Sequence, residues 1–111
     1  MDKRTDKFIK EYVAAAAKEN RGLLKAYLFG SYARKTDNAA SDIDIALVID
    51  NLKDDEKFDL QVKLILLASK FDTKIEPHPI SKDDFNSSNP FIAEIRRNGI
   101  EITLPVLSDT E

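Results

Sequence analysis

The sequence predicts a single α+β domain, a β-sheet flanked by helices, and three observations carry the prediction. Residues 3 to 19 place Phe8, Ile9, Tyr12, Val13, Ala16 and Ala17 at three- and four-residue intervals, one face of a helix. Two dense apolar runs, Leu23 to Phe29 and Asp42 to Ile49, read as strands separated by a glycine turn. Three further helical stretches follow, interspersed with short strands. The chain has 111 residues, enough for one core and too few for two.

In chain order, the first helix is rich in alanine at 14 to 17 and stops at Asn20-Arg21-Gly22. Leu23 to Phe29 is the first strand, and Ser31 to Arg34 after the Gly30 turn is a short helix. Lys35 to Ala40 is a polar loop. Asp42 to Ile49 has apolar residues on both faces, which predicts a central strand. Asp54 or Asp55 is the expected cap of a helix running to about Lys70, with Phe58, Val62, Ile65, Leu66 and Ser69 on its buried side. Thr73 to Ile80 reads as a strand whose Pro77 and Pro79 confine it to a sheet edge, or end its pairing after Glu76. Ser81 to Asp84 opens another helix, and Phe91 to Arg97 is a helix ended by Asn98-Gly99. Ile100 to Leu104 is a last short strand, and residues 105 to 111 form a tail expected to fray.

Composition narrows the function. The chain is 42% hydrophobic and 33% charged, the balance of a folded domain rather than a disordered one. It has no cysteine, hence no disulfide and no thiolate metal site, and one histidine, too few for a multi-histidine zinc centre within the chain. A net charge of −3 is a poor footprint for a nucleic-acid polymer, but it leaves room for a small phosphorylated ligand bridged by metal ions. The N-terminus lacks the apolar core of a signal peptide, and no apolar run nears the roughly 20 residues of a membrane span. The expected location is the cytoplasm.

Chemistry concentrates between Gly30 and Asp44. Gly30-Ser31 ends an apolar strand and opens a helix, where free backbone N–H groups hold phosphates well. Asp42 and Asp44 are two apart in an extended run, so their carboxylates share a side. Each signal has a plainer explanation. Gly-Ser alone is an ordinary turn, and Asp-x-Asp arises by chance in a chain with 20 acidic residues. Position favours the functional alternative: Ile43, Ile45, Leu47 and Val48 surround Asp44, and a carboxylate in so apolar a run is costly unless a cation offsets it.

Gly30-Ser31-x-Ala33-Arg34, a spacer, and then Ser41-Asp42-x-Asp44-Ile45 resemble the signature of the minimal nucleotidyltransferases of the DNA polymerase β-like superfamily. The resemblance extends over nearly the whole chain, through Asn89-Pro90-Phe91, Ile95 and Gly99-Ile100; Lys35 departs from it, standing where the family often has glycine. It implies a mixed sheet and a metal-dependent transfer of a nucleoside monophosphate, with ATP as donor and two Mg2+ ions as cofactors. By the same resemblance Asp42, Asp44 and a third carboxylate, Glu76, hold the metals, Glu76 binding metal or serving as general base. Asp72 is the second choice for that third position, and a surface glutamate is the plain alternative for Glu76. Gly30, Ser31 and Arg34 would hold the phosphates, with a solvent salt bridge as the other role open to Arg34. His78 matches no family position and is expected to be structural or exposed; Tyr32 is expected to pack on the sheet.

Minimal nucleotidyltransferases are typically the antitoxin half of a pair with a small helical HEPN-type ribonuclease toxin. The resemblance therefore implies such a toxin as partner and a tyrosine hydroxyl on it as AMP acceptor. The alternative it leaves is an antitoxin that neutralises its partner by binding alone.

Overall fold

The computed structural model describes residues 3–34 and 42–105. The element order is α1 (Lys3–Glu19), β1 (Leu23–Phe29), α2 (Ser31–Arg34), β2 (Ile43–Ile49), α3 (Asp54–Ala68), β3 (Ile75–Ser81), α4 (Lys82–Phe85), α5 (Pro90–Asn98) and β4 (Ile100–Ile102). The four strands form one mixed sheet in the order β3-β2-β1-β4. β2 pairs antiparallel with β1 and parallel with β3, and β4 pairs antiparallel with β1. The fold is the α+β arrangement the sequence predicts, with β2 central and β3 on an edge. Among the described residues no helix is long and apolar enough to cross a membrane.

β3 runs in register with β2 from Ile75 to Ser81, so the prolines do not end its pairing after Glu76. Pro77 and Pro79 are two apart and share one hydrogen-bonding direction, which the open edge of the sheet leaves without a partner to satisfy. The strand itself starts two residues later than expected, because Asp72 Oδ1 accepts the Lys74 N–H at 2.9 Å and turns the chain before Ile75. Residues 35–41 and 106–111, which include the expected polar loop and most of the tail, lie outside the described residues.

The sheet carries a core on each face. Ile43, Ile45, Leu47 and Ile49 of β2 pack with Ile9, Tyr12, Val13, Ala16 and Ala17 of α1 and with Leu64 and Ala68 of α3; Tyr32 joins this larger core. Alternation sends Ala46 and Val48 to the other face, where they meet Tyr27, Ile80, Phe85, Ile92 and Ile95. Tyr12 is fully buried, and its hydroxyl donates to the Leu64 carbonyl at 3.0 Å, tying α1 to α3. Burial, with a smaller contribution from Glu19, raises the pKa of that phenol.

Helix ends follow their caps. Ser81 Oγ accepts the Asp84 N–H at 3.0 Å and Asn89 Oδ1 accepts the Phe91 N–H at 2.8 Å, with Pro90 at the first helical position of α5. At α3 neither Asp54 nor Asp55 is the cap. Both lie inside the first turn, and Glu56 Oε1 accepts the Lys53 N–H at 3.3 Å. Three acidic residues there still complement the positive end of the helix dipole.

The buried side of α3 also differs from expectation. Leu64 and Ala68 are buried and Leu60 and Leu67 pack against the core, whereas Phe58, Val62, Ile65, Leu66 and Ser69 are exposed. The helix is apolar nearly all round from Leu60 to Ala68, so periodicity alone does not select its face. Contact with β3 and α1 does.

Candidate active site

The site lies at one end of the sheet, on the face that carries Ala46 and Val48. Phe29, the last residue of β1, pairs with Asp44 near the start of β2, and Asp44 in turn pairs with Glu76 of β3. Three neighbouring strands thus deliver side chains to one place. Alternation adds His78, opposite Ala46 in the register and on the same side as Glu76.

Asp44 is the hub. Its side chain is about three-quarters buried, with 24% exposure, and Oδ1 lies 3.0 Å from His78 Nε2. The second oxygen faces the glycine turn: a Cβ on Gly30 would stand 2.5 Å from Asp44 Oδ2. Gly30 also adopts φ +77°, a left-handed conformation that suits glycine. Glycine is therefore required twice over, by the turn and by the carboxylate packed against it. Ser31 follows as the first residue of α2.

Glu76 is exposed, and its carboxyl pKa is raised. Desolvation is the largest cause; His78 opposes it, while a hydrogen bond with Asp42 and the charges of Asp44 and Asp42 add to it. Asp42 sits just before β2, exposed, and reaches the cluster through Glu76. The ligand atoms of Asp44, Glu76 and His78 all lie within 4.8 Å of one another. These three form the compact set, with Asp42 on its rim. Asp72, the second choice for the third carboxylate, is occupied in the turn before β3.

Arg34 ends α2; its side chain lies outside the described residues. His78, expected to be structural or exposed, is half-buried and contacts Asp44 directly. Its ring is edge-on to Phe29, with centroids 5.0 Å apart, and tilted against Phe91 at 6.4 Å. The available sequence signal was its spacing: two residues past Glu76 on a strand means the same face.

Clustered carboxylates suit a divalent cation. Oxygen donors bind hard ions such as Mg2+, and the like charges that raise the Glu76 pKa are the charges a cation would neutralise. The residues present fit such an ion, beside a turn able to approach phosphate closely.

The family model described as "Polymerase beta, Nucleotidyltransferase" matches residues 11–104. A protein described as a nucleotidyltransferase from Sulfolobus solfataricus shares the fold with a TM-score of 0.58 and 26% identity, over 86% of this chain and 76% of that one. A toxin–antitoxin structure with AMP-PNP is similar with a TM-score of 0.59 and 24% identity, over 86% and 73% of the two chains. A third similar structure is a tri-AMPylated Shewanella oneidensis HEPN toxin in complex with MNT antitoxin, with a TM-score of 0.51, 23% identity and coverage of 86% and 72%. Among curated proteins none matches this chain in sequence. With 94 consecutive residues matched, and the strands that carry Asp44 and Glu76 inside the match, the chain belongs to the polymerase beta nucleotidyltransferase family.

Proposed function

We propose that this protein is a metal-dependent nucleotidyltransferase that moves AMP from ATP to a hydroxyl of a HEPN-type toxin, the bond to the β-phosphate breaking and pyrophosphate leaving, and so acts as its antitoxin. The observation that carries the proposal is the convergence of Asp44, Glu76 and Asp42 beside the Gly30 turn. Similarity to an AMP-PNP-bound toxin–antitoxin structure and to one with an AMPylated HEPN toxin supports the donor and the acceptor class.

Each residue then has a defined task. Asp42, Asp44 and Glu76 hold the metals, two Mg2+ ions by the family's pattern. When bound, these ions neutralise the triphosphate and lower the pKa of the attacking hydroxyl. Gly30 and Ser31 present backbone N–H groups to the β- and γ-phosphates, and Arg34 follows one helical turn later. Asp44 is held between His78 and Gly30, so its carboxylate meets the nucleotide already oriented. By the same pattern Glu76, which pairs with Asp44 in the register, either holds metal or accepts the proton of the acceptor hydroxyl.

The acceptor is proposed to be a tyrosine near the toxin's active site. There an added phosphate charge would repel RNA. The test is to incubate this protein and its HEPN-type partner with ATP and Mg2+ and weigh the partner. Addition of one or more AMP masses is the expected result. Neutralisation of the toxin with no mass change would instead assign the protein to antitoxins that act by binding alone.

A further inference from the structure

We propose that His78 is itself a metal ligand, so that one cation is held by Asp44, Glu76 and an imidazole nitrogen, and that this set favours Mn2+ over Mg2+. The proposal rests on the metal-dependent reading above and adds a nitrogen donor to its carboxylates. The spacing of the hydrogen bond between His78 Nε2 and Asp44 Oδ1 is also the spacing of two ligands on one ion. Two donors on adjacent octahedral positions, each about 2.1 Å from an ion, stand about 3.0 Å apart. His78 Nε2 and Asp44 Oδ1 are 3.0 Å apart. Glu76 has its oxygen within 4.8 Å of both and is exposed, so a change of rotamer brings it closer.

The ring is aimed by its surroundings. Opposite His78 in the parallel register is Ala46, whose methyl leaves space on that face. Phe29 and Phe91 meet each other at 5.5 Å and both contact the imidazole, fixing the ring over the sheet. In the ligand form the neutral ring carries its proton on Nδ1, and the hydrogen bond from Nε2 to Asp44 gives way to a bond from each atom to the ion. Imidazole suits first-row transition ions better than Mg2+, which prefers oxygen and retains its waters. A mixed nitrogen and oxygen set therefore shifts preference toward Mn2+.

Pulsed electron paramagnetic resonance of the wild-type protein with Mn2+ tests this without relying on activity. Modulation from a directly bound imidazole nitrogen is expected, and its loss in His78→Asn. Titration calorimetry should show Mn2+ affinity falling about tenfold or more in that variant, with Mg2+ affinity falling less. Mn2+ bound to wild type without nitrogen modulation, or an equal loss for both ions in a folded variant, would overturn the proposal. The carboxylate site would then stand, with His78 only orienting Asp44. Failure of both ions to bind the wild-type protein would overturn the proposed function as well.

Discussion

Asp44→Asn is expected to lower AMP transfer by more than about 100-fold, beyond the upper end of what losing even an outer partner of a metal site costs. The amide keeps the shape of the side chain and an acceptor toward His78, so the fold should survive. What changes is charge at the hub of the cluster. The metal-free protein should become no less stable, because one of the like charges acting on Glu76 is gone. Sign follows from the raised Glu76 carboxyl. Its folded state holds the proton more tightly than the unfolded chain, so its contribution is fully present below 4.5 and is lost as pH rises to the folded-state value. Thermal melts of metal-free wild type should accordingly show this loss, and Asp44→Asn should reduce it. Full Mg2+-dependent transfer by a folded Asp44→Asn variant would remove Asp44 from the site.

Gly30→Val should be the second large effect, through stability and ligand binding together. The left-handed φ of +77° alone costs a residue with a Cβ roughly 1–2 kcal/mol, and more for a branched one. The new Cβ would also press on Asp44 Oδ2, with 2.5 Å between them before relaxation. Relief requires moving either the turn proposed to face the phosphates or the carboxylate proposed to face the metal. Ser31→Ala removes a hydroxyl but keeps the backbone N–H, so its loss of affinity should be about tenfold or less. Titration of a non-hydrolysable ATP analogue, with folding followed by circular dichroism, separates the two. Unchanged affinity in folded Gly30→Val would exclude the turn as a phosphate cradle.

The sheet was legible in the sequence because its signals agree across levels. β2 is apolar on both faces and central; β3 carries two prolines and lies on an edge; Ser81 caps the helix it precedes. The α3 face was not legible, since Leu60, Val62 and Leu64 to Leu67 offer apolar side chains in several directions. Only contact with α1 and β3 chooses Leu64 and Ala68. At the site, Asp44 could be singled out from sequence because a carboxylate stood in a buried run. His78 could not, because its closeness to Asp44 depends on the parallel register that sets Glu76 against Asp44 and His78 against Ala46. That register joins segments 32 residues apart in the chain, as the pairing of Asp44 with Glu76 shows, and no local pattern states it. Asp42 falls just outside β2 and reaches the cluster by way of Glu76, an arrangement the Asp-x-Asp spacing alone does not distinguish from two equivalent ligands.

The most direct measurement is anomalous diffraction from crystals grown with Mn2+ and a non-hydrolysable ATP analogue. An anomalous peak within bonding distance of Asp44 and Glu76, with the analogue's phosphates against the Gly30 turn, is the predicted result. A bound analogue with no Mn2+ at these carboxylates, or with its phosphates away from Gly30, would contradict it.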